Sequence, residues 1–182
     1  MKLPTPISTT SRNMLFSHLR NKRRMVQIGK GVFARVYGRP GYRRVVKVGC
    51  DSDRYLKYLS IVGKRNPNPY FPTVYSIERR KHIRKSAGLP PWEDSYYVVE
   101  MEKLTKWGEV PRTIRDRLLN KIGCDISNPQ VIESSRRWEK EAVKKLHELW
   151  ARCDVIEDVH RANIMFRRVG RGWQLVYTDP VC

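Results

Sequence analysis

The chain has 182 residues, enough to bury a core in one domain or in one small domain of two lobes, and 37 Lys plus Arg against 18 Asp plus Glu give a formal charge of +19. That charge predicts attraction to nucleic acid, to acidic proteins or to an anionic surface, against the plainer reading of a basic exterior with no dedicated partner. No apolar run approaches the roughly 18 residues that span a bilayer. The N-terminus lacks the apolar core of a signal peptide, and Cys50, Cys124, Cys153 and Cys182 are too scattered for a zinc or disulfide framework, so a reducing cytoplasm and no membrane contact are expected.

In chain order, residues 1–12 read as irregular, with Pro4 and Pro6. Asn13 to Arg24 predicts a short helix with Met14, Leu15, Phe16 and Leu19 on its apolar face. Its basic end (Arg20, Lys22, Arg23, Arg24) suits the negative pole of a helix. Alternating apolar residues from Val26 to Tyr37 predict a strand pair, broken at Gly29-x-Gly31. Glycines there either make the turn or let backbone N–H groups approach an anion. Gly38-Arg39-Pro40-Gly41 is a turn, and Arg44 to Gly49 is a strand with Lys47 at its middle. Facing inward, that lysine needs a partner; facing outward, it implies an edge strand.

Asp51 to Gly63 predicts a helix capped by Asp51 or Asp53, with Leu56, Leu59 and Ile61 or Val62 inward, ended by Asn66-Pro67-Asn68-Pro69. Phe71 to Ile77 leads into a strand, Glu78 to Gly88 is a basic, polar connection, and Tyr96 to Glu102 is a further strand. Pro111 to Asn120 predicts a short helix using Ile114, Leu118 and Leu119. From Val131 to Ala151, Val131, Ser135, Trp138, Ala142, Leu146 and Leu149 recur every three to four residues, which predicts a long helix capped by Ser127 or Asn128, with His147 structural. Ile164 to Phe166 is a strand, residues 167–172 a basic turn, and Trp173 to Thr178 a return strand ending at Asp179.

The chemistry-bearing stretch is Asp158-Val159-His160-Arg161-Ala162-Asn163, with Asp179 following after the short hairpin-like segment. Any one of these pieces is an ordinary loop when taken alone. In order with the glycine turn and the strand lysine, they resemble a protein kinase. Gly29, Gly31, Phe33 and Val36 follow its glycine-rich loop, Val45-Val46-Lys47 its strand lysine, and Asp158 to Asn163 its catalytic loop. The blocks Val45-Val46-Lys47-Val48-Gly49, Phe71-Pro72-Thr73-Val74-Tyr75, Asp158 to Phe166 and Tyr177-Thr178-Asp179-Pro180-Val181 resemble the early serine/threonine protein kinase of lytic, autographivirus-type bacteriophages. The resemblance covers about residues 26–182.

It implies an α+β, minimal two-lobed protein-kinase-like fold. Residues 1–25 are a basic extension, 26–103 an antiparallel-sheet N-lobe with the hinge, and 104–182 a reduced, mainly helical C-lobe. It implies ATP and Mg²⁺ as cofactors and transfer of the γ-phosphate to the protein itself or to host bacterial proteins, transcription or RNA-processing machinery among them, in the cytoplasm of the infected host. Lys47 holds phosphates; Asp158 orients the attacking hydroxyl and His160 stabilises the transferring group; Asn163 and Asp179 bind the metal. Val36 and Val45 roof the adenine, Met165 floors it, and Glu100, Met101 and Glu102 form the hinge.

The pattern departs from the family in three places. Ala34 stands where the third glycine belongs and, disliking positive φ, predicts a stiffer loop tip. No Glu occurs between residues 48 and 77, so Asp51 or Asp53 substitutes for the helix glutamate, or Lys47 pairs with Asp179. The chain stops three residues after Asp179, which predicts a complete ATP site and a reduced substrate platform. A minimal kinase, an autophosphorylating one, and a pseudokinase-like inhibitor of a host factor such as RNA polymerase or a nuclease are the resulting expectations. Salt-dependent, nonspecific contact with nucleic acid and a small-molecule kinase stand beside them.

Overall fold

A computed structural model describes residues 11–50, 54–86, 89–118, 137–152 and 161–180, which form an α+β protein with antiparallel sheet. It divides into two compact units, one from Met1–Asp53 and Tyr75–Lys103, the other from Arg54–Val74 and Leu104–Cys182. Among the described residues no helix is long and apolar enough to cross a membrane.

The first unit begins where the Ser11 hydroxyl accepts the Met14 N–H at 3.2 Å and caps α1 (Arg12–Asn21). Leu15, Phe16 and Leu19 are buried as their spacing predicts, whereas Met14 is 62% exposed. Met14 directly precedes Leu15 and falls outside the stripe that meets the sheet. That sheet has the order β1-β2-β3-β5-β4, with β1 Val26–Lys30, β2 Ala34–Gly38, β3 Arg44–Cys50, β4 Val74–Ser86 and β5 Leu89–Glu102. The residues from Glu78 to Ser86, expected as a connection, continue β4 instead, so β4 and β5 are 13 and 14 residues long.

Antiparallel register sorts the side chains into two faces, because directly paired residues project together. Tyr37, Val46, Val48, Tyr96 and Val98 form one face and enclose Leu15, Phe16 and Leu19 of α1 in a single core cluster. The other face carries Val36, Lys47 and Val99 in one row, with Gly38, Val45 and Met101 in the next and Ala34, Gly49 and Tyr97 beyond.

The second unit contains α2 (Tyr55–Val62), whose buried Tyr55, Tyr58, Leu59 and Val62 keep helical spacing. Leu56, expected inward, is only half-buried, because the tyrosines occupy the packed stripe, and of Ile61 and Val62 it is Val62 that points inward. Gly63 ends α2 at φ +70°, a conformation that only glycine adopts cheaply. Then come β6 (Thr105–Lys106), a helical stretch α3 at residues 112–118, and α4 (Arg137–Arg152). Ala142, Val143, Leu146 and Leu149 bury one side of α4, while Trp138 is 38% exposed rather than inward. The caps and first apolar positions expected before Arg137 lie outside the described residues, as do the Asp51 and Asp53 cap candidates. β7 (Ile164–Val169) and β8 (Gly172–Tyr177) form a hairpin, with β6 added on β7. Strand pairing runs to Val169 opposite Gly172, so Arg167 and Arg168 lie in β7 and the turn shrinks to Gly170-Arg171, with Gly170 at φ +56°.

In the first unit, Gly49 pairs with Tyr97, and a Cβ at Gly49 would collide with the Tyr97 ring, itself fully buried. Gly49→Ala is expected to lower unfolding stability by about 1–3 kcal/mol through overpacking, read from the midpoint of urea denaturation.

Candidate active site

In the first unit Lys47 lies in β3, the middle strand of the five, and is 7% exposed. The outward, edge-strand alternative is therefore excluded. Its row and the next present the buried Val45, Val99 and Met101 and the half-buried Val36 beside it. One cation amid apolar side chains is an arrangement that suits a flat heterocycle carrying phosphates. Glu100 and Glu102 pair with Val46 and Arg44 and so project to the opposite face; the Glu100 carboxylate accepts from Arg44 at 3.2 Å. The hinge triplet remains strand to its last residue.

Gly29 sits inside β1 at an irregularity of register, against Val36, and the turn itself is Gly31-Val32-Phe33, closed by the Gly31 N–H donating to the Ala34 carbonyl at 2.8 Å. Ala34 lies in extended β2 and not at positive φ, so its methyl group imposes no backbone strain there. Val32 and Phe33 project outward, 92% and 55% exposed. A cleft of about 150 Å³ beside this turn is lined by Arg12, Phe16, Lys30, Arg35 and Val48, and therefore opens on the α1 face, opposite to Lys47.

The second unit gathers the metal-ligand candidates. Ile164 opens β7 and Tyr177 closes β8, and these two residues pair. The Asn163 carbonyl then accepts both the Thr178 N–H at 2.9 Å and the Thr178 hydroxyl at 2.8 Å. Asn163 and Asp179, sixteen residues apart along the chain, thus flank the same open end of the hairpin. An amide oxygen and a carboxylate are hard donors of the kind magnesium takes while keeping water and phosphate oxygens for its other positions. The donor set fits that ion. Met165, the predicted floor, is half-buried in β7 opposite Val176. Asp158 and His160 lie outside the described residues.

Several residues that hold this hairpin and the loop beside it escaped the sequence reading. The Tyr58 hydroxyl of α2 donates to the Tyr177 carbonyl, and the Trp150 indole of α4 donates to the Pro180 carbonyl at 3.1 Å. Arg167 donates to the carbonyls of Pro69 and Phe71 at 2.8 and 2.9 Å. Buried Asn68 donates to the Trp138 carbonyl at 2.8 Å and accepts the Tyr70 N–H at 3.0 Å, tying the Asn-Pro-Asn-Pro loop to α4. Tyrosine on a helix face carries a signal of this kind, since a buried hydroxyl must find a partner. The partner itself cannot be read from spacing.

The sequence matches no protein-family model and has no significant match among curated proteins.

Burial, and then the neighbouring Tyr55, Asp179 and Tyr177, push the Tyr58 phenol well above the usual tyrosine range. The unfolded chain ionises this group near pH 10 while the folded chain keeps its proton. Its stabilising contribution is thus full below about pH 10 and is lost, at up to about 1.4 kcal/mol per unit, as pH rises above that value. Urea midpoints from pH 9 to 11 are expected to fall more steeply for the wild type than for Tyr58→Phe.

Proposed function

We propose that this chain is a magnesium- and ATP-dependent serine/threonine protein kinase of the bacteriophage type, which phosphorylates itself or host bacterial proteins in the infected cytoplasm. The observation that carries the reading is the hairpin end at which the Asn163 carbonyl takes both Thr178 donors, so that Asn163 and Asp179 flank the open end of the β7–β8 hairpin. Lys47, buried in a central strand among Val36, Val45, Val99 and Met101, supports it independently.

In this reading the Lys47 ammonium binds the α- and β-phosphates, and Val36, Val45 and Met165 are the apolar residues assigned to adenine. Asn163 and Asp179 would hold magnesium, which would supply charge neutralisation on the phosphates. Asp158 orients the acceptor hydroxyl and takes its proton; the bond from the γ-phosphorus to the acceptor oxygen forms as the bond to the β–γ bridging oxygen breaks. His160 donates a hydrogen bond to the transferring group, better as imidazolium than as imidazole. Tyr58 occupies the buried face of the helix in which protein kinases carry their glutamate.

Incubation with labelled ATP and Mg²⁺, with and without bacterial lysate, is expected to label the wild-type protein or a lysate protein. Lys47→Ala and Asp179→Asn should each reduce transfer at least about 100-fold, since each removes a charge that acts on the transferred phosphate. Full activity in both purified, folded variants sinks the assignment. A stable complex with a host protein that survives Asp158→Ala, with no transfer by the wild type, selects the pseudokinase-like alternative.

A further inference from the structure

The segment Tyr177-Thr178-Asp179-Pro180 is held from four directions, all within the second unit. The Tyr177 N–H donates to the Tyr70 carbonyl at 2.9 Å, and the Tyr177 carbonyl accepts the Tyr58 hydroxyl from α2. Both donors of Thr178 go to the Asn163 carbonyl. The Pro180 carbonyl accepts the Trp150 indole N–H from α4. Tyr58 and Tyr177 are 0% and 1% exposed and Thr178 is 8% exposed, so water has little access to replace these bonds. The rings reinforce them: Tyr58 meets Phe71 edge-on at 6.2 Å, and Tyr70 stacks on Tyr177 at 6.5 Å. Pro180 itself fixes its φ by its ring.

Resting on the kinase reading above, we infer that this site is not switched by movement at Asp179. Tyr58 and Trp150 act as positioning residues that hold the backbone on both sides of the metal-ligand carboxylate, so that Asp179 stands in its working position before any nucleotide binds. The physical reason is the cost of unmaking the clamp. Swinging the Asp179 main chain away requires the backbone at Tyr177 or Pro180 to turn. That strands a buried carbonyl and, with it, the buried tyrosine hydroxyl or the indole N–H that served it. In a kinase switched through its helix glutamate, the helix and the metal-binding Asp move independently. Here α2 has no glutamate and is bonded to the hairpin through Tyr58, so the helix and the Asp strand move together or not at all. The consequence for regulation is a site whose metal affinity is set by the fold and not by an activating phosphorylation.

The test uses the full chain without nucleotide, comparing wild type, Tyr58→Phe and Trp150→Phe, each of which keeps an aromatic ring and deletes one donor. Amide hydrogen exchange is read at Tyr177 and Thr178, with β3 and β5 as internal controls. Mn²⁺ affinity is read by electron paramagnetic resonance. Each variant is expected to speed exchange at Tyr177 and Thr178 about tenfold, as for a local opening whose free energy has lost one hydrogen bond, with β3 and β5 amides unchanged and Mn²⁺ binding weakened about fivefold. Wild-type exchange rates at both amides in both variants overturn the inference. So does faster exchange with unchanged Mn²⁺ affinity, since the clamp would then not position the ligand. If Tyr58→Phe loosens β3 and β5 as well, Trp150→Phe decides, because it removes a donor from the other side of Asp179. A wild type that binds no Mn²⁺ defeats the magnesium reading itself, a failure distinguishable from that of the clamp because the exchange pattern is measured without metal.

Discussion

Three consecutive carbonyls, those of Pro69, Tyr70 and Phe71, have to find donors outside any strand, and the second unit is arranged around supplying them. Pro67, Pro69 and Pro72 remove the N–H groups that would let this loop join a sheet. The β7–β8 hairpin provides all three donors: Arg167 for the outer two carbonyls and the Tyr177 N–H for the middle one. The two terminal nitrogens of the guanidinium fork serve one acceptor each in a fixed plane, whereas a lysine would have to reach both carbonyls from a single nitrogen. The proline-rich stretch after α2 is thereby fastened to the hairpin that carries Asn163 and Asp179, and Asn68 fastens it also to α4.

The first unit answers a different demand. Placing an ammonium in a central strand costs several kcal/mol of desolvation unless the site compensates it. A sequence that needed only a strand at Arg44 to Cys50 would have no reason to put lysine there. The neighbours are sorted accordingly. On the α1 side, Val46 and Val48 complete a core with Phe16 and Tyr37. On the other side, the glycine at position 49 leaves room for the Tyr97 ring. The alternation that makes one face a core makes the other a place for Lys47, and neither role can be changed by a one-residue slip without exchanging both.

Strands and helices with strong periodicity were legible in the sequence: β3, the end of β5, α4 and both strands of the β7–β8 hairpin. What was not legible follows from competition between neighbours. Met14 and Trp138 are apolar at nearly the right spacing, yet other residues fill the packed stripe. On α2 the tyrosines outrank Leu56, because a large ring with a bonded hydroxyl fills the space next to β8 better than an aliphatic chain. Arg167 reads as part of a basic turn, but its charge serves main-chain carbonyls inside the molecule. The pair Asn163 and Asp179 was readable as two residue types at an interval; that Thr178 draws them together is tertiary information. Arg35 over Phe16, Arg44 over Tyr75 and Arg168 over Trp173 show the same limit for charge, since cations laid on aromatic rings belong partly to the fold's own cohesion.

The two longest strands have one more consequence. β3 pairs with β5 only from Tyr96 to Glu102, so among the described residues Leu89 to Ser95 have β4 as their one neighbour. A two-stranded ribbon of about seven residues therefore extends some 23 Å past the sheet, and no other described strand covers either of its edges. Open edges invite the addition of a strand from another copy, and self-association through them is the ordinary fate of an apolar ribbon. The sequence of β4 is strongly basic, Arg79-Arg80-Lys81 and Arg84-Lys85 included, and a basic composition disfavours the addition of one such strand to another copy of itself.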